Sequence, residues 1–261
     1  MNCLIETALL THGLCSIANE ELAQSWHCPD AILAWVDGGE LKLGPIGEYL
    51  PFRERSEELI RIDCDHLEEA LQTGASGALT ASGTMAVCRR LDIPMAITCG
   101  MGGIGDLRGE ELCPDLPALM NIPVALISTS PKDMLDRPAT LDWLRRHGVH
   151  TAGEPCTGYL FCGEPVALEL PLSSCNNEAA VRRLTANGGL LLLNPIPEKE
   201  RVQDRSILVD AIKAGKQAEA EGHYYHPAAN GEIDRRTDGY SSRIQLESIQ
   251  QNYLLAKSIM D

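Results

Sequence analysis

Glu6 and Lys132 are the residues whose types and settings suggest chemistry. Glu6 puts a carboxylate inside the apolar run 3–11 (CLIETALLT), and Lys132 follows Ser130-Pro131 directly beyond the apolar segment 122–128. A Glu removed from water keeps its proton towards neutral pH and serves as a general acid. By strict alternation along a strand, it is instead an edge residue facing solvent. Ser130 as N-cap with Pro131 at the first helical position predicts a helix start, which puts Lys132 in the first turn, where the macrodipole disfavours an ammonium. An amine with its pKa lowered in that way is a nucleophile for a sugar or carbonyl carbon. The ordinary alternative is a solvated surface lysine. The functional reading rests on its place beyond the carboxyl end of a core strand, where open α/β sheets bind ligands.

The segment 100–105 (GMGGIG) satisfies G-x-G-x-x-G directly after an apolar strand. The dinucleotide fingerprint also requires a helix opening at the third glycine and an acidic residue closing the next strand. The continuation 106–117 (DLRGEELCPDLP) reads as loop, and the next strand ends Ser128-Thr129-Ser130, so a nicotinamide cofactor is not expected. Two readings stay open: a turn whose successive N–H groups hold an anion, and a tight loop without a ligand. Asp115 in that loop suits ribose hydroxyls or water but says little alone. Seven histidines form no HExxH or other metal pattern. His147 and His150 are read as belonging to a helix end, and His223 and His226 receive no role.

The elements that must position these groups read as short apolar strands alternating with amphipathic helices. Strands are predicted at 3–11, 31–36, 40–43, 93–98, 122–128 and 190–193, the middle ones uniformly apolar as in a sheet covered on both faces. Asp37-Gly38 marks a hairpin. Helices are predicted at 14–27, in an acidic stretch ending at Gly74, after 74–80, at 141–147 with Thr140 as cap and Gly148 as stop, at 207–221, and at 243–260. Residues 222–239 read as a polar, turn-rich loop. With no repeats and no linker, the 261 residues suit a single α/β domain with a mostly buried mixed sheet flanked by helices.

Composition narrows the partners. With 37 acidic against 22 basic residues and a net charge of −15, nucleic acid and anionic membrane are disfavoured, since phosphate backbones are bound through Lys and Arg stripes. No stretch approaches the ~20 apolar residues that span a bilayer, and 1–10 lacks the pattern of a secretion signal. Ten cysteines occur without a CxxC pair, so a zinc site is disfavoured and the thiols read as small core residues in a reducing, cytoplasmic compartment.

The order of motifs resembles one family. Residues 6–13 (ETALLTHG), 77–85 (GALTASGTM), 98–104 (TCGMGGI), Asp115-Leu116, 130–136 (SPKDMLD), 194–197 (NPIP) and the helix containing Asn252 are similar, collinearly and over nearly the whole chain, to pseudouridine-5′-phosphate glycosidases, also called indigoidine synthase A-like proteins. The spacing from Asp115 to Lys132 equals the family's. The resemblance implies reversible cleavage of the C–C glycosidic bond of pseudouridine 5′-phosphate to uracil and ribose 5-phosphate. It makes Lys132 the nucleophile that forms a Schiff base with the opened ribose, and Glu6 the proton donor. For substrate contacts it implies Asp115, Arg61, Ala81, Thr84, Thr98, Cys113, Pro114, Asn194 and Gln245. It further implies a divalent metal, usually manganese, held through Glu111 and waters, and an α/β homotrimer.

The departures fall away from the reacting pair. Arg61 stands where the family has a lysine, Gln245 where it has an asparagine, and His226-Pro227 where it has Thr-Pro-Phe. The glycine loop is about two residues shorter and lacks a histidine. The lysine chemistry is therefore expected, with the aglycone open. The alternatives are a C-glycosynthase joining ribose 5-phosphate to another aglycone, and a catalytically weak sugar-phosphate binder. Within so acidic a chain, Arg61, Lys132 and the 100–105 loop are expected to form a local positive island.

Overall fold

Uniformly apolar strands are stable only between two covered faces, and the central strands of this chain are built that way. The computed structural model describes residues 2–105, 112–186, 188–223 and 225–260. The chain begins with β1 (Cys3–Ile5), a π-helical turn (Leu9–Gly13), α1 (Asn19–Ser25), β2 (Leu33–Asp37), β3 (Glu40–Gly44), α2 (Ile46–Arg53) and β4 (Ile60–Ile62). It continues through α3 (Leu67–Thr73), β5 (Gly77–Leu79), α4 (Ala81–Arg90), β6 (Met95–Ile97), β7 (Gly100–Met101), α5 (Asp115–Asn121), β8 (Ala125–Ser128) and β9 (Ser130–Pro131). The second half holds α6 (Arg137–Arg146), β10 (His150–Gly153), α7 (Glu178–Thr185), β11 (Leu190–Leu193), α8 (Ser206–Ala220), α9 (Tyr225–Arg236) and α10 (Tyr240–Met260).

Among the described residues, nine strands make one mixed sheet in the order β10-β11-β8-β6-β1-β2-β5-β4, with β3 alongside β2. Neighbours from β10 to β2 run parallel, whereas β2 meets β3 and β5 antiparallel. Alternate residues serve opposite cores. Ile5, Ile97, Ile127 and Leu192 pack with Ile249 and Ala256 of α10, and Leu4, Ala96, Leu126 and Leu191 pack with Met85, Leu119 and Leu141. This is the expected single-domain α/β architecture, and burial of both strand faces explains why these runs carry no polar alternation.

Several elements differ from the sequence expectation. The strand at 3–11 stops at Ile5, because Thr7 turns its hydroxyl to the Ala34 carbonyl and accepts from Leu79 N, after which the chain coils into the π-helical turn. The helix expected at 14–27 spans only Asn19–Ser25. The hairpin turn centres on Gly38-Gly39, with φ of 60° and 77°, one residue beyond Asp37-Gly38; two successive left-handed positions favour glycine. Helix α6 is capped by Asp136, whose carboxylate accepts from Ala139 N, and starts before Thr140, which lies buried inside it. The stretch expected to be loop around CPDLP opens α5 at Asp115.

The largest difference is α9, within 222–239. Tyr225, Ala229 and Ile233 form a buried stripe at four-residue spacing. Pro227 falls in the first turn, where a missing N–H is tolerated. Weak helix formers at Asn230 and Gly231 hid the pattern. Asp234 ends the stripe, accepting from Ser241 Oγ and Ser242 N at 3.1 Å and so fixing the start of α10.

Candidate active site

Glu6 and Lys132 stand where parallel strands end. Glu6 follows β1 and Thr98 follows β6, each continuing the ladder: Glu6 N donates to Ile97 O and Thr98 N to Ile127 O, both at 2.9 Å. Lys132 lies just past β9. Its N–H donates to Met101 O at 3.1 Å, extending the small parallel pair of β7 with β9. Ser130-Pro131 is therefore extended, not a helix start, and α6 begins only at Arg137. The expected dipole effect on Lys132 is absent for that reason.

Lys132 and Arg61 line two adjoining spaces. A small inner chamber of about 30 Å³ is bounded by Glu6, Gly100, Tyr159, Asn230 and Gln245 together with these two cations. An outer cleft of about 570 Å³ runs from Lys132 and Arg61 past Thr80, Ser82, Gly102, Cys113, Pro114 and Asp115, with His226 also on its wall. Arg61 and Lys132, expected to form a positive island, do meet at these spaces, and neither forms an ion pair among the described residues, but burial and Arg61 oppose the charge on Lys132. The glycine loop contributes less to it than expected: Gly102 N–H is taken by Asp115 Oδ2 at 2.8 Å and Ile104 N–H by Thr140 Oγ1 at 2.9 Å. Gly105 bridges Leu135, and the residues after it that the dinucleotide fingerprint would need as helix, 106–111, lie outside the described residues. A Cβ at Gly102 would lie 2.0 Å from Cys113 Sγ, which explains the glycine by close approach.

Glu6 and Lys132 have displaced protonation equilibria. Burial pushes Glu6 up to about 7; the Thr98 hydroxyl, Lys132 and Arg61 pull against this, and Asp115 adds to it. Burial pushes the Lys132 amine down, the Arg61 charge adds to the effect, and Glu6, Cys113 and Asp115 oppose it. An acid kept protonated towards neutrality and an amine biased to its free base are complementary partners for nucleophilic attack with proton donation. Lys132 is activated by desolvation and a cation from β4, not by a helix.

The remaining sequence candidates distribute unevenly. Arg61, Cys113, Pro114 and Asp115 line the cleft. Asp115 accepts from Ser82 N at 3.1 Å as well as Gly102 N, so it ties the start of α4 to the glycine loop. Gln245 lines the inner chamber, its Oε1 accepting from Tyr159 OH at 2.9 Å. Thr98 donates to Glu6 Oε1 and borders neither space. Ala81 and Thr84 are buried in the first turn of α4, and their neighbours Thr80 and Ser82 are the ones that face the cleft. Asn194 is directed elsewhere: its amide donates to Asn252 Oδ1 at 3.0 Å and it lines a separate groove with Ile244 and Ser248. Glu111 lies outside the described residues. Among the described residues no group of three His, Cys, Asp or Glu side chains is disposed to hold a metal.

Tyr159, Asn230 and His226 were not legible as site residues in the sequence. Tyr159 is placed by Asp133, whose carboxylate accepts from the N–H groups of Tyr159, Leu160 and Phe161 at 2.7–3.0 Å. The other two come from α9. Their four-residue spacing was a usable signal once that segment was taken as helix.

Fold and site together define an α/β protein with a lysine and a carboxylic acid paired at the carboxyl ends of its parallel strands. The chain belongs to the family described as Indigoidine synthase A like protein, whose model matches residues 4–260. Among its relatives are proteins named pseudouridine-5′-phosphate glycosidase. That of Methylobacterium nodulans is 28% identical, covering 98% of this chain and 81% of the relative. That of Streptomyces griseus is 29% identical, covering 98% and 85%. Among solved structures, an indigoidine synthase A-like protein from Thermotoga maritima is similar in fold, with TM-score 0.80, 20% identity and coverage of 98% and 91%. A prealnumycin C-glycosynthase in complex with ribulose 5-phosphate has TM-score 0.77, 22% identity and the same coverages.

Proposed function

We propose that this chain is a C-glycosidase that reversibly cleaves pseudouridine 5′-phosphate to uracil and ribose 5-phosphate through Lys132. The observation that carries the reading is the convergence of Lys132, with its lowered pKa, and Glu6, with its raised pKa, on one chamber. The neutral Lys132 amine bonds to the anomeric carbon. The C1′–O4′ bond opens, and the ring oxygen takes the proton from Glu6. The nitrogen returns a proton to the Glu6 carboxylate, and its lone pair then forms the protonated imine as the C–C bond to the base breaks, the electron pair leaving with uracil, which takes up a proton. Water hydrolyses the imine and returns ribose 5-phosphate and the free amine. Membership of a family whose relatives bear the glycosidase name supports this substrate. The test is uracil release from pseudouridine 5′-phosphate, together with borohydride trapping of ribose 5-phosphate on Lys132; a chain that does neither refutes the reading.

A divalent metal, manganese by resemblance, belongs to the same proposal with Glu111 as its protein ligand, and no step above passes through it. Chelation followed by restoration with Mn²⁺ tests that part. A homotrimeric, cytoplasmic enzyme completes the proposal, the first checked by light scattering. Among the described residues no helix is long and apolar enough to cross a membrane. The synthetic direction, with another aglycone, is a second reading favoured by Arg61 and Gln245 standing where the family resemblance leads one to expect a lysine and an asparagine.

A further inference from the structure

Helix α9 presents two polar side chains, one turn apart, to the two spaces that meet at Lys132. His226 lines the outer cleft and Asn230 the inner chamber, and Lys132 and Arg61 border both. Nδ1 of His226 is buried without a hydrogen-bond partner, whereas the carboxamide of Asn230, a residue 9% exposed, borders the chamber and hydrogen-bonds to no other described side chain. Buried polar groups left unpaired carry a desolvation penalty that the fold itself does not relieve here. In a site shaped for one ligand, such groups are what the ligand satisfies.

We propose that His226 and Asn230 are specificity-determining contacts to the aglycone, reading the N–H and C=O edge of a planar imide or lactam ring held beside Lys132. This rests on the C-glycosidase reading and deepens it. The phosphate is the other polar part of the substrate, and it lies at the far end of the ribose from the carbon that Lys132 attacks. Asn230 borders the chamber of Glu6 and Lys132, and so stands at the reacting end. A neutral carboxamide and an imidazole whose protonation burial, Lys132 and Arg61 all oppose match a neutral ring edge better than a dianion.

The test compares two ligands that differ by the ring alone. In a Lys132→Ala background, which binds without turnover, pseudouridine 5′-phosphate and ribose 5-phosphate are titrated by calorimetry. His226→Ala and Asn230→Ala should each weaken pseudouridine 5′-phosphate about tenfold or more and change ribose 5-phosphate by less than about twofold. His226→Asn, which puts an amide near the position of Nδ1, should restore most of the loss, and His226→Gln should not. Equal losses for both ligands assign His226 and Asn230 to the sugar phosphate and overturn the proposal. So do unchanged affinities, and so does a parent that binds pseudouridine 5′-phosphate no more tightly than ribose 5-phosphate. Borohydride trapping on the chain with Lys132 intact separates the two levels. Without a trapped adduct, the glycosidase reading fails and this inference with it; a trapped adduct with unaltered discrimination overturns this inference alone.

Discussion

Thr98 Oγ1 donates to Glu6 Oε1 at 2.7 Å, a bond from the end of one parallel strand to the end of its neighbour. It is the principal hydrogen bond restraining the upward displacement of the Glu6 pKa. Two consequences follow for pH.

The proposed role of Glu6 as acid requires its protonated form, so kcat/KM should fall as pH rises through about 7. Thr98→Val is close to isosteric and removes the hydroxyl, so that limb should move to higher pH, by about one unit for a lost charge-assisted bond. A pH–rate profile of the variant showing a downward move would contradict the assignment of Glu6.

Stability should respond with a definite sign. The folded pKa of Glu6, about 7, is above its ordinary value of 4.5, so the folded chain keeps a proton that the unfolded chain releases. The wild type therefore loses stability between about pH 4.5 and 7, by roughly 3 kcal/mol at most. Glu6→Gln lacks that loss. Urea midpoints should match near pH 4 and favour Glu6→Gln by pH 8, while its activity falls by at least about 10²-fold.

Lys132→Ala removes the nucleophile and should lower uracil release by about 10³-fold or more, with no borohydride-stable mass added by ribose 5-phosphate. Burial and Arg61 already oppose charging of this amine. Lys132→Met should therefore match or exceed the wild type in thermal melts near neutral pH. Retained turnover in either variant would refute the role.

Asp133 holds the 159–161 backbone through three N–H bonds and thereby sets Tyr159, which donates to Gln245 beside Lys132. Asp133→Asn keeps the size but turns an NH₂ towards donors. It should destabilise the chain by about 2–3 kcal/mol and slow adduct formation on Lys132. A melting temperature shifted with trapping unaffected would confine Asp133 to stability.

The sequence by itself determined the buried strands and singled out Glu6 and Lys132. Runs such as Leu190–Leu193 are apolar on both faces, which requires a covered sheet, and a Glu within such a run or a Lys beyond its carboxyl end is anomalous however the rest packs. Asp115, Cys113 and Gln245, singled out by collinear motifs, line the two spaces. The tertiary structure decided what surrounds them. Sequence chemistry at Ser130-Pro131 predicted a helix dipole acting on Lys132, whereas pairing of β9 with β7 keeps that segment extended and leaves burial and Arg61 as the cause of the lowered pKa. Asn194 reads as a contact from its motif, yet its amide is committed to Asn252. Helix α9 was hidden because Asn230 and Gly231 are poor helix formers, and packing of Tyr225, Ala229 and Ile233 against the core overrides that weakness. Local propensity and spacing fix which residues can react. Contacts between segments distant in the chain set their protonation and choose the side chains that face the substrate.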